Sequence, residues 1–107
     1  MMDIKIPFLD QIVDIIISVI DPDKIILFGS YARGDYRKNS DIDILILKRG
    51  LKNEREITNN LYMNFFNNKI SIPVDIIAVD YDKYNNLNND IGYIYKTIKQ
   101  EGEILYE

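Results

Sequence analysis

The sequence predicts a small two-layer α/β or α+β domain, with one sheet of at least three strands backed by three or four helices. Three observations lead there. Apolar residues recur at helical spacing in three separate segments. Between them stand short runs rich in isoleucine, leucine and valine, of strand rather than helix length. Glycine-, proline- and asparagine-containing stretches separate the two kinds of segment. At 107 residues, with no internal repeat or long linker, the chain is read as one domain over residues 1–107.

In chain order, Pro7 opens the first helix, because proline is tolerated in a first helical turn. Leu9, Ile12, Val13, Ile16, Val19 and Ile20 follow at helical spacing, with Asp10, Asp14 and Ser18 on the other face, so a helix is expected over residues 8–20. The "DPD" at 21–23 ends it in a turn. "KIILFG", residues 24–29, is a buried strand broken by Gly29 and Ser30, and "YARGDYRKNS" is a polar loop with room for one helical turn. "DIDILILK", residues 41–48, is a strand with aliphatic residues on both faces, ended by Gly50.

A second helix follows over residues 54–67, with Ile57, Leu61, Met63, Phe65 and Phe66 as candidate core residues. "ISIPVDIIAVD" is a third strand, whose pairing should begin beside or after Pro73 because proline lacks a ladder donor. "YDKYNNLNND" is an asparagine-rich loop with room for a short helix. "IGYIYKTIKQEG" places Ile91, Ile94, Tyr95 and Ile98 on one helical face and stops at Gly102, leaving "EILYE" as an edge strand.

Composition narrows the chemistry. With 47% hydrophobic residues the chain can bury a core, though a small one. There is no cysteine and no histidine. Disulfide scaffolds, thiol nucleophiles, the usual zinc sites and a Ser-His-Asp triad are therefore excluded. A metal site must use oxygen ligands, which suits Mg²⁺ or Mn²⁺. A net charge of −4 argues against stable nucleic-acid binding, although Arg33, Arg37 and Lys38 cluster locally. The apolar "IVDIIISVI" is too short to cross a membrane, and the N-terminal residues lack a basic-then-apolar leader. A cytoplasmic protein is expected.

The unusual residues lie inside the apolar strands. Asp41 and Asp43 are two apart, so they project from one face of their strand with α-carbons roughly 7 Å apart. Two carboxylates held side by side repel unless a cation lies between them. Asp75 interrupts the third strand in the same way. If the two strands are neighbours, the three carboxylates can converge as ligands for one or two divalent ions, the arrangement that in-line phosphoryl or nucleotidyl displacement uses. Taken alone, the Asp pair could equally be a solvated strand start. Gly29 and Ser30, at a strand exit, allow backbone N–H groups to approach an anion such as a triphosphate. Arg33 either adds positive charge to that phosphate or pairs with a nearby aspartate.

Gly29-Ser30, ten residues, Asp41-x-Asp43 and a later strand aspartate at Asp75 resemble the active-site signature of the DNA polymerase β-like nucleotidyltransferase superfamily. The form "GSYARG…SDIDILI" and the small size resemble its minimal nucleotidyltransferase branch, antitoxins that pair with HEPN ribonuclease toxins. The resemblance implies a nucleotidyltransferase fold with a small mixed sheet. It implies that Asp41 and Asp43 bind catalytic Mg²⁺, that Asp75 completes the site and helps activate the acceptor hydroxyl, and that Gly29 and Ser30 bind the triphosphate. The implied reaction moves AMP from ATP to a tyrosine of the HEPN-type toxin and releases pyrophosphate. A chain this short leaves little room for an acceptor site of its own, which fits a partner protein bringing the hydroxyl.

Two other functions fit the same residues: nucleotidyl transfer to a small molecule or an RNA end, and an antitoxin that masks its partner by contact alone. A homo-oligomer is compatible with this sequence.

Overall fold

The computed structural model of the chain describes residues 6–87 and 93–107. The first helix, α1 (Leu9–Ile20), buries Leu9, Ile12, Ile16 and Ile20 on one side. It ends where Asp21 turns into the left-handed region and donates its N–H to the Ile17 carbonyl at 3.0 Å, just before Pro22. Strand β1 (Lys24–Phe28) leads through Gly29 into a single helical turn, α2 (Ser30–Arg33). Strand β2 (Ile42–Lys48) follows, with Asp41 just outside it.

Helix α3 (Glu54–Asn67) starts on a reciprocal cap. The Asn53 side chain accepts from the Glu56 N–H at 3.0 Å, satisfying one of the donors that a helix start leaves orphaned, and its amide donates to the Glu56 carboxylate at 2.9 Å. Strand β3 (Val74–Asp80) passes directly into α4 (Tyr81–Leu87), with Asp80 accepting the Lys83 N–H at 3.1 Å as a cap. Helix α5 (Tyr93–Glu101) stops at Gly102, and β4 (Glu103–Tyr106) closes the order.

The sheet order is β3-β2-β1-β4, so the last strand is indeed an edge. β1 pairs antiparallel with both β2 and β4, whereas β2 and β3 run parallel, which makes the sheet mixed. Pairing of β3 begins at the expected place: the Ile42 N–H donates to the Pro73 carbonyl at 2.9 Å. β2 is central and buried on both faces, which is why its aliphatic run does not alternate with polar residues. Ile42, Ile44 and Ile46 pack with Ile25 and Leu27 under α1 and α3. Leu45 and Leu47 pack with Ile26, Phe28 and Val79 under Tyr84 of α4 and Ile98 of α5. The helices thus divide between both faces of the sheet, adding a partial third layer to the two expected.

Two core expectations for α3 need correction. Leu61 and Phe65 are buried and Ile57 packs partly against them, but Met63 and Phe66 are 60% and 80% exposed. A helix on one sheet face buries a single stripe, and Met63 and Phe66 lie outside the stripe defined by Ile57, Leu61 and Phe65. In α5, Ile98 is buried and Tyr95 is partly covered, while Ile94 is 44% exposed; Ile91 lies outside the described residues. Among the described residues, no helix is long and apolar enough to cross a membrane.

Candidate functional site

Three strand ends meet at one corner of the sheet. The β1–β2 register sets Phe28 opposite Asp43, and the β2–β3 register sets Asp43 opposite Asp75. Directly opposed residues in a sheet share a face. Asp43 and Asp75 therefore project on the side of Leu45, Leu47 and Phe28, where Tyr84 and Ile98 cover the sheet further along. Asp41, two residues before Asp43, extends the row beyond the strand. Asp41 and Asp75 are exposed, and Asp43 is half-buried between them.

Gly29 closes the fourth side. Its φ of 77° and ψ of −157° lie in a region essentially reserved for glycine. A side chain at Gly29 would also collide with the Asp43 carboxylate. The glycine is thus required twice, once by the backbone and once by the close approach of its α-carbon to that acid. Beyond it, the Ala32 and Arg33 N–H groups both donate to the Gly29 carbonyl, at 3.1 and 3.0 Å. The Ser30 and Tyr31 N–H groups stand in the first turn of α2, where a helix offers them no acceptor of its own. Gly34, at φ 88°, ends this turn and is followed by a loop in which Tyr36 stacks on the buried Tyr31, ring centroids 4.5 Å apart.

Electrostatics single out one acid. Asp43 is pushed up to about 6, first by burial and then by the charges of Asp75 and Asp41, with Arg33 acting in the opposite sense. Among the described residues no three carboxylates already form a cage able to hold a metal ion. The donor set is nonetheless one that suits Mg²⁺, which is commonly bound through one or two carboxylates together with substrate phosphates rather than by an all-protein cage. A cation here would also relieve the repulsion that raises Asp43.

The structure therefore places Asp41, Asp43, Asp75 and Gly29 together, with Ser30 at the adjoining turn. Arg33, in the same turn, is engaged by two acids outside this row. Its Nε donates to Asp35 at 3.2 Å and its Nη1 to Glu101 at 3.5 Å. Sequence reasoning left Arg33 between an ion pair and a phosphate contact, and did not connect it with Glu101. A contact spanning 68 positions leaves no local pattern to read.

The comparisons with known proteins bear on the fold and the family. A curated Methanocaldococcus jannaschii protein, provisionally named a protein adenylyltransferase, is 56% identical over 34 residues, 32% of this chain and 34% of that protein. The match thus spans about a third of that relative's length. A solved structure of a variant MntA–HpeT toxin–antitoxin superposes with a TM-score of 0.65 at 19% identity, covering 91% of this chain and 71% of that one. A toxin–antitoxin structure with AMP-PNP gives a TM-score of 0.57 at 24% identity, covering 91% and 71%. At these identities the two structures establish the shared fold. The nucleotidyltransferase domain model matches residues 9–105, every strand and helix described above except the last residue of β4, and the chain belongs to that family.

Proposed function

We propose that this chain is a protein adenylyltransferase, the antitoxin partner of a HEPN-type ribonuclease toxin, which it silences by moving AMP from ATP onto a toxin tyrosine. The observation that carries the reading is the Asp43–Asp75 register beside Gly29. It sets a row of acids against a turn whose first backbone N–H groups have no acceptor within their own helix, the two halves that a nucleoside triphosphate and its metal need. The relative named as a protein adenylyltransferase supports a protein acceptor. The toxin–antitoxin neighbours, one of them with AMP-PNP, support the partner class and the nucleotide.

In this reading the Gly29–Ser30 turn binds the triphosphate through backbone N–H groups, and Arg33 adds a positive charge at its edge. Asp41, Asp43 and Asp75 would hold Mg²⁺, or Mn²⁺ in its place, which supplies charge neutralisation for the α-phosphate and the leaving pyrophosphate. Asp75, the more exposed strand acid, takes the proton from the acceptor tyrosine. The tyrosine oxygen bonds to the α-phosphorus, the bond from that phosphorus to the bridging oxygen breaks, and pyrophosphate leaves. The site works in the cytoplasm, where ATP and Mg²⁺ are at hand.

The test mixes the protein with ATP, Mg²⁺ and the toxin encoded beside it, and weighs the toxin. Adenylyl mass gain on a tyrosine, lost with Asp43→Asn, is expected. No gain on a folded toxin overturns the reading. If Asp43→Asn still neutralises the toxin on co-expression, masking by contact is the function instead.

A further inference from the structure

Arg33 is gripped from two directions. Asp35 is placed by the local chain: the N–H groups of Gly34 and Asp35 both donate to the Ser30 carbonyl, at 2.9 and 3.1 Å, folding the backbone back on α2. Glu101 is placed from 68 positions away, as the last residue of α5. That helix end is pinned by buried Ile98 and by Gly102. The Gly102 N–H donates to the Ile98 carbonyl at 2.7 Å, and an added Cβ would lie 2.6 Å from Ile26 Cγ2. Both acids are thus placed by backbone contacts of their own segments.

The two ion pairs contribute little to stability, because the Arg33 and Glu101 side chains are 40% and 37% exposed. Their consequence is orientation. A guanidinium is a rigid planar fork of five N–H donors, so holding Nε and Nη1 also fixes where Nη2 points. Arg33 ends the helical turn that Ser30 begins, so its α-carbon stands within one turn of the Gly29–Ser30 backbone and its side chain is long enough to reach a phosphate seated there.

We propose that Glu101 is a positioning residue for the nucleotide: together with Asp35 it holds the Arg33 guanidinium so that Nη2 meets a phosphate oxygen of a nucleoside triphosphate seated on the Gly29–Ser30 turn. This rests on the nucleotidyltransferase reading above. It makes the distal helix α5 part of nucleotide recognition without touching the nucleotide.

The experiment measures equilibrium binding of ATP with Mg²⁺ by calorimetry to the wild type, Glu101→Gln, Arg33→Ala and the double variant, each checked for an unchanged melting curve. Glu101→Gln should weaken binding about threefold to tenfold, and should add nothing once Arg33 is alanine. In turnover the loss should fall on KM for ATP and leave kcat in place. Glu101→Asp, which keeps the charge, should recover part of it. Unchanged binding by Glu101→Gln, tighter binding, or the same loss in the Arg33→Ala background overturns this inference while leaving the proposed function standing. A wild type that binds no ATP overturns both.

Discussion

Asp75 lies directly across the parallel β2–β3 pair from Asp43, and its charge adds to burial in pushing Asp43 up to about 6. Two acids in register, one of them half-buried, repel each other when both are charged. Each consequence can be measured.

The first is a pH dependence of stability. The Asp43 carboxyl moves from an ordinary 3.8 to about 6, so the folded protein binds this proton more tightly than the unfolded chain. The stabilisation by the proton is complete below about pH 4 and is lost as pH rises through 6. Because the side chain is substantially solvated, the contribution is about 1–2 kcal/mol rather than the full shift. Urea unfolding should therefore show wild type losing about that much more than Asp43→Asn between pH 4 and 7. Equal losses in the two proteins would remove Asp43 as the cause.

The second consequence concerns Mg²⁺. Above pH 7 the ion should raise the melting temperature of the wild type, with stabilisation reaching about 2.7 kcal/mol at a hundredfold excess over Kd. A chelator should reverse it. Asp43→Asn should show little or no shift. An equal shift in that variant would place the ion away from this carboxylate.

The two glycines around α2 offer a matched pair. Both have positive φ, but a Cβ on Gly34 meets open space and one on Gly29 meets Asp43. Gly34→Ala should cost about 1–2 kcal/mol from backbone strain alone. Gly29→Ala should cost more and should also weaken ATP binding, since the Asp43 carboxylate must move. Thermal melts and calorimetry read both effects, and equal costs for the two variants would contradict the close approach.

On α3 the exposed and buried apolar residues should separate cleanly. Phe66→Ser should change stability by no more than about 0.5 kcal/mol, whereas Leu61→Ala should cost about 2–5 kcal/mol. Tyr62→Phe should cost about 0.5–1.5 kcal/mol, because the Tyr62 hydroxyl accepts the Ile76 N–H at 2.9 Å on the outer edge of β3. Hydrogen exchange at Ile76 should speed up in Tyr62→Phe. Unchanged exchange there would dismiss the hydroxyl as an edge cover.

Much of the candidate site was legible as pattern. The period of two along "DIDILILK" puts Asp41 and Asp43 on one face, and Gly29 marks the strand exit. The helix over residues 54–67 was equally legible, but not which of its aromatic residues face inward. Phe65 and Phe66 are neighbours of equal hydrophobicity, and only the angle at which α3 meets the sheet buries the first and exposes the second.

The sequence by itself determined the elements, the chemistry available to them and the family signature, because propensity, periodicity and the choice of side chains are local. Tertiary structure alone decided that β3 lies parallel beside β2 with Asp75 opposite Asp43, that Gly29 lies against the Asp43 carboxylate, and that Glu101 reaches Arg33. Strand order and register depend on burying both faces of β2 at once beneath four helices. That condition couples residues far apart in the chain, and no window of sequence contains it.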